Sequence, residues 1–312
     1  MNFLDLQIHL LKKERNIYEP AELFEQNRIP VKELMSDLAS IAEKGGNLVL
    51  KDNKLVCEKT NTEYFIKNDV VDFCKNEFEQ KGDEWAKQNA AFLNYHKSLT
   101  VYTLLNSTPV LHYIGEKSGM ADLKNAKVID IGGGTGHAFC SLFRNPSTIT
   151  YYLADPNLRL LHDQFLRVYP LLSKLKMGHV LSYAEKLPFK NEIADVVMSL
   201  SSIDHFKSYE DFMAEAHRVL KPGGTIFISS HLDVPASERI QKVRTSSKLL
   251  SFSFWERVSR YLYYRKYKVG TDDHTWHFET IEPIETGLKK HGFETIAKEE
   301  FNGFFWIKAK KM

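Results

Sequence analysis

The chain has 312 residues, 43% of them hydrophobic and 26% charged, an ordinary globular balance with enough apolar side chain for a sizeable core. Forty-two basic residues against 40 acidic ones leave a net charge of +2, so no overall field draws the chain towards nucleic acid or anionic lipid. Three cysteines, Cys57, Cys74 and Cys140, are too few and odd in number for a disulfide framework and fit a reducing compartment.

The N-terminal stretch MNFLDLQIHLLKKERN is broken early by charges and no small-residue cleavage site follows, so it does not read as a signal peptide. No apolar run is long enough to span a bilayer, and the expectation is a soluble cytoplasmic protein. Residues 1 to about 45 read as helical. Within VKELMSDLASIAEK (31–44), Val31, Leu34, Met35, Leu38, Ile41 and Ala42 share one helical face, with Pro30 suited to its start and Gly45-Gly46 to its end. The short runs NLVL, KLVC and EYFI, separated by Asp52-Asn53 and by Lys59 to Thr62, predict a small β meander. Residues 79–118 are again helical in pattern.

From residue 126 strands and helices alternate. KVIDIGGG is strand then loop, HAFCSLF a helix, and TITYYLADP strand then turn. LRLLHDQFLRVYPLLSKL is an amphipathic helix, ADVVMSLSSI a strand, YEDFMAEAHRVL a helix and GGTIFISSHL a strand. That alternation predicts an α/β fold with a doubly wound, mostly parallel sheet, helices on both faces. Residues 236–268 form a helical insertion, and FETIAKEEFNGFFWIKAKK is a closing hairpin (293–310) turning at Asn302-Gly303. The expected division is an N-terminal α+β segment (1–78), then a larger domain (79–312) made of a helical cap (79–118), a core (126–234), the insertion and the hairpin.

In such sheets a ligand binds beyond the carboxyl ends of the strands. Here the first core strand runs into Gly132-Gly133-Gly134-Thr135-Gly136, where glycine lets the backbone turn sharply and approach a ligand. A glycine cluster alone would serve a dinucleotide equally well. However, the third glycine of G-x-G-x-x-G falls on His137. Asp130, just before the loop, would repel a pyrophosphate but suits a ligand with an ammonium group and a sulfonium, S-adenosylmethionine. Asp155, ending the next strand, is placed to accept hydrogen bonds from ribose hydroxyls, or to cap the helix that follows, with Pro156 in its first turn.

Residues 126 to about 230 resemble the Rossmann-like S-adenosylmethionine-dependent methyltransferases that act on small molecules and lipids. VIDIGGGTG is similar to the first motif of that family and LADPN to its acidic second one. AEKLPFKNEIADVVMSLSSIDHF resembles the adenine-edge loop and fourth strand, and HRVLKPGGTIFIS the helix, turn and fifth strand. The resemblance implies a seven-stranded sheet with an antiparallel last strand, the cofactor S-adenosylmethionine, and cofactor contacts from Asp130, Gly132, Gly133, Gly134, Gly136, Asp155, Pro156, Tyr183, Ala184, Glu185, Leu200 and Ser201. Tyr183 departs from the pattern, since an acidic residue usually stands there to bond the adenine amino group. Backbone amides near Ala184 and the Tyr183 ring are the expected substitutes.

The loop Ser201-Ser202-Ile203-Asp204-His205-Phe206 would lie beside the transferred methyl group. His205 is the candidate general base, its ordinary pKa being near neutrality, with Asp204 orienting it or capping the next helix. His231, His274, Trp276 and His277 are candidate substrate contacts, with no metal expected. The aromatic and basic insertion reads as a lid; its bases could touch nucleic acid or a lipid surface, but the favoured reading is an amphipathic helix with aromatics packed inward and bases solvated. KLVCEKTNTEYFIKNDVVDFC resembles the second half of a zinc ribbon in which Thr60 replaces the partner of Cys57 and Cys74 is too distant to restore it. It is expected to be a metal-free relic packed through Leu55, Val56, Tyr64, Phe65 and Ile66, or else a winged-helix-like module at a dimer interface. The leading expectation is methyl transfer to a small organic molecule by a possible homodimer. A binding or scaffold protein without turnover, or a nucleic-acid methyltransferase, is the alternative.

Overall fold

A computed structural model describes residues 28–43, 45–67, 69–74, 108–134, 136–156, 176–233, 275–301 and 303–312. The helical expectations for residues 1–27, 79–107 and 158–175, the insertion at 236–268, His274 and Asn302 lie outside these described residues.

The strands are β1 (Leu48–Lys51), β2 (Lys54–Cys57), β3 (Glu63–Lys67), β4 (Val70–Asp72), β5 (Lys127–Ile131), β6 (Thr150–Ala154), β7 (Met177–Leu181), β8 (Ala194–Leu200), β9 (Leu220–His231), β10 (Phe293–Phe301) and β11 (Phe304–Lys311). The helices are α1 (Val31–Leu34), α2 (Thr108–Ser118), α3 (His137–Leu142), α4 (Tyr209–Val219) and α5 (Glu282–Lys290). Among the described residues the eleven strands form one sheet in the order β1-β2-β3-β4-β7-β6-β5-β8-β9-β11-β10. β7-β6-β5-β8-β9 run parallel, and β11 lies antiparallel between β9 and β10. These seven strands are the expected α/β sheet with its antiparallel last strand.

Consecutive side chains of a strand point to opposite faces, and both faces here are covered, so the central strands read as nearly unbroken apolar runs. Ile129, Ile131, Tyr152, Val197, Ile226, Ile228 and Ile307 pack on one side with Phe212 and Ala216 of α4 and Ile284 and Leu288 of α5. Val128, Tyr151, Leu153, Val196, Met198, Phe227 and Trp306 pack on the other with Ile114 of α2 and Phe139 of α3. Helix α4 starts where the Ser208 hydroxyl accepts a hydrogen bond from the Asp211 N–H (3.1 Å). Its first turn carries Glu210 and Asp211 and its last turn His217 and Arg218, complementing the helix dipole.

The helix expected over 31–44 is not formed: only Val31–Leu34 is helical. Beyond it the chain is drawn into tertiary pairing, with Leu38 bridged to Phe189 and Ser40 to Gly46. Asp37 reaches the core sheet, where its carboxylate accepts from Lys127 Nζ (2.6 Å) and from the Tyr152 hydroxyl. These contacts outweigh a modest helix propensity.

The meander forms as expected, β1 to β3 pairing antiparallel. It also continues: β3 pairs with β4, and β4 runs parallel to β7, joining the meander to the central sheet. Leu55, Val56 and Tyr64 are buried and Ile66 is partly so, but Phe65 is a correction, being 59% exposed. It points away from Tyr64 by strand alternation and lies under Lys54 Nζ at 5.0 Å.

Candidate active site

The carboxyl ends of β5, β6 and β8 converge on the glycine loop. Gly132, Gly134 and Gly136 all have positive φ (69°, 55° and 73°), a conformation that side chains resist. The loop is tied down by Gly132 N–H to Ala154 O (2.8 Å), Gly136 N–H to Gly133 O (2.9 Å) and Gly134 N–H to Asp155 Oδ2 (2.9 Å). Space is also short: a Cβ on Gly132 would meet Ser202 Cβ at 2.6 Å, and one on Gly133 would run into the Asp130 carboxylate and Leu153. Asp155, buried at the end of β6, thus fastens the loop, while its proposed capping role falls on residues outside the described ones.

Asp130 is fully buried beneath the loop. Its Oδ2 accepts from the Tyr151 hydroxyl, and its Oδ1 has no hydrogen-bond partner. Burial pushes its pKa up to about 7, against the pull of the Tyr151 hydrogen bond and with a further push from the Asp155 charge.

The loop after β8 is built around Ser202. Its hydroxyl bonds Ser199 Oγ (2.8 Å) and Ile131 O (3.1 Å), locking this loop to the end of β5. Leu200 is half-buried, and Ser201 is exposed with φ 54°. A 3-10 turn follows over Ile203–His205, with Asp204 buried and His205 exposed. The Asp204 carbonyl accepts from the N–H groups of Thr275 (2.9 Å) and Trp276 (3.0 Å). The Trp276 indole donates to Phe206 O (2.7 Å), and its ring meets Tyr209 edge-on at 4.9 Å. Trp276 therefore braces this loop.

Past β7, Tyr183 and Glu185 are half-buried and Ala184 is buried. Glu185 Oε1 accepts from the N–H groups of Lys207 (2.7 Å) and Ser208 (3.1 Å), joining this turn to the start of α4. Lys207 Nζ sits 5.0 Å over the Tyr183 ring. Pro156 is half-buried after β6. Past β9, His231 packs its ring 4.2 Å from Phe304, and His277 Nδ1 lies 2.5 Å from Asp233 Oδ2. Asp233 N–H donates to Phe278 O (2.8 Å), so the 275–278 segment crosses from the loop after β8 to the loop after β9.

Tyr151, Ser202 and Asp233 were not singled out in the sequence. Ser202 appeared there only as one residue of the loop after the fourth core strand and Tyr151 only within a strand, and the partner of Asp233 is 44 residues away. Among the described residues no group of three or more His, Cys, Asp or Glu could hold a metal ion, and no helix is long and apolar enough to cross a membrane.

Residues 108–298 match the family model described as a methyltransferase domain. The chain is 28% identical over 194 residues to the mitochondrial ubiquinone biosynthesis O-methyltransferase of Rattus norvegicus, covering 59% of this chain and 50% of that protein. It is 30% identical over 106 residues to a demethylmenaquinone methyltransferase of Chlorobaculum tepidum, covering 34% and 40% respectively. The chain thus spans about half the length of the curated relatives it matches. A solved Thermotoga maritima structure, described as a SAM-dependent methyltransferase and possible histamine N-methyltransferase, aligns at 20% identity and a TM-score of 0.43, covering 72% of this chain and 99% of that one.

Proposed function

The chain belongs to the methyltransferase-domain family, and on that premise we propose that it transfers the methyl group of S-adenosylmethionine to a small organic acceptor. The observation that carries this reading is the glycine cradle with an orphaned carboxylate oxygen under it, Asp130 Oδ1. An ammonium group over the loop supplies the counter-charge which that buried carboxylate lacks. We assign Asp155, buried one strand away, to the ribose hydroxyls of the cofactor. Tyr183 and Ala184 would border the adenine, and Leu200, Ser201, Pro156 and Glu185 would complete the rim.

The cofactor, when bound, supplies a methyl group already activated on a sulfonium, so the protein's part is position, a dry site and the acceptor's proton. Two histidines stand on the acceptor side. His205 follows β8 and is exposed. His277 carries a carboxylate on Nδ1, the arrangement that fixes a ring's tautomer and stabilises it once protonated. We assign these two, with His231, to the acceptor pocket. Trp276 supports it from behind.

The matched relatives are named for quinone biosynthesis, which makes ring hydroxyls of catechols and quinols the first acceptors to try. Calorimetric titration with S-adenosylmethionine, S-adenosylhomocysteine and NADH tests the cofactor. Binding of NADH alone would overturn the reading. Asp155→Ala should weaken S-adenosylmethionine binding by roughly tenfold or more, since it removes charge-assisted hydrogen bonds; an unchanged affinity would end the ribose assignment. A cytoplasmic homodimer is part of the same proposal, and light scattering should then give twice the 36.1 kDa chain mass.

A further inference from the structure

The geometry points to Tyr151 as a positioning residue for cofactor binding: its hydroxyl fixes the buried Asp130 carboxylate beneath the glycine loop, where the carboxylate's charge attracts the ammonium group of the cofactor's amino-acid arm. This rests on the methyltransferase reading above. Tyr151 lies on β6, directly opposite Val128 of β5, and is fully buried. Its ring stacks on Phe139 of α3 (centroids 4.1 Å apart, planes 11° apart) and meets Phe143 edge-on at 6.5 Å. The ring is thereby locked between helix and sheet, and a buried phenol must find an acceptor. It finds Asp130 Oδ2 on the neighbouring strand.

That bond leaves Asp130 Oδ1 buried with no hydrogen-bond partner. Among the described residues the titratable groups that face the carboxylate are Tyr151 of β6 and Asp155, which directly follows that strand. On the β8 side the hydroxyls of Ser199 and Ser202 bond each other and Ile131 O, and both are neutral. Among the described residues no cation therefore balances Asp130. A ligand ammonium does, and it favours the ionised carboxylate, so a proton leaves the site as such a ligand binds. The Tyr151 hydrogen bond pulls in the same direction, since it lowers a pKa that burial holds at about 7. Near neutral pH the hydroxyl decides how much of the protein is ready for the cofactor.

Calorimetric titrations of the full chain between pH 5.5 and 8.5 test this, comparing S-adenosylhomocysteine with 5′-methylthioadenosine, which lacks the amino-acid arm. In the wild type, affinity for S-adenosylhomocysteine should rise with pH through about 7 while 5′-methylthioadenosine stays flat. Tyr151→Phe keeps the stacked ring and loses only the hydroxyl. It should move the midpoint upwards and cost S-adenosylhomocysteine roughly tenfold at pH 7, the worth of one hydrogen bond to a charge, with 5′-methylthioadenosine unaffected. Asp130→Asn should abolish the pH dependence altogether. Equal losses for both ligands in Tyr151→Phe, or an unmoved midpoint, would overturn the role of the hydroxyl while leaving the methyltransferase reading intact. Failure of both ligands to bind the wild type would overturn that reading and this one with it.

Discussion

Asp130 and Asp155 illustrate how two like side chains, one strand apart, take different work from their surroundings. Asp155 spends an oxygen on the Gly134 N–H and holds the loop in shape. Asp130 is shut away from solvent with a carboxyl pushed up to about 7. A carboxyl raised in the folded state contributes stability that is complete below its unfolded pKa and is lost as pH rises through the folded value. Asp130→Asn keeps an acceptor for Tyr151 and removes the charge. Melting temperatures without ligand should therefore favour the variant progressively from about pH 4 to about pH 7 and hold level above, the gap reaching on the order of 4 kcal/mol. A constant gap across that window would show that Asp130 does not titrate there. The two histidines separate by the same logic of surroundings. With cofactor affinity retained, His277→Ala should lower turnover on a hydroxyl acceptor by about a hundredfold, the usual worth of a general base. His205→Ala should do so only if the base stands after β8. A rate unchanged in both variants would remove proton abstraction from these residues.

At the level of elements, the alternation of strand and helix from residue 126 was legible because both faces of the sheet are covered and each strand is an apolar run between turns. The glycine loop, its two acidic neighbours and the loop after β8 were legible for a related reason, since short-range constraints fix residue type there. The segment 31–44 was not. Its apolar residues do fall at helical spacing, and Val31, Leu34 and Leu38 are indeed buried. Burial came from packing an irregular stretch against the sheet, and the anchor is polar: Asp37 with Lys127 and Tyr152, 90 and 115 residues away. No local pattern announces such a cluster. Asp37→Ala would leave the lysine and the phenol without their acceptor, and the chain should lose about 3 kcal/mol in chemical denaturation. A loss under about 0.5 kcal/mol would class the contact with ordinary surface pairs.

At the level of the whole molecule, the sequence suggested an N-terminal piece set ahead of the main domain, and the structure adds its four strands to the same sheet. The deciding contact is short, three residues of β4 along β7, and nothing in VVD distinguishes a strand that ends a meander from one that joins a larger sheet. Because the pairing is through backbone hydrogen bonds with Leu55, Tyr64, Val71 and Phe73 in the common core, β2 to β4 should unfold together with β5 to β9. Hydrogen exchange of the intact chain should show one shared opening energy for both groups; clearly lower protection in β2 to β4 would mean that the meander opens by itself.

The β4–β7 pairing also decides where the sheet is left open. A strand with unpaired N–H and C=O groups invites any extended chain to add to it. Without the meander that invitation would come from β7, five buried residues beside the cofactor side. With it, among the described residues the outermost strands are β1, far from the glycine loop in strand order, and β10. β10 is guarded by the exposed charges Glu294, Lys298 and Glu300 and by a bulge at Ile296, which breaks the regular ladder that an incoming strand would copy. The appended strands therefore shield the most aggregation-prone rim of the core, a service to solubility that is independent of the chemistry at the other end of the strands.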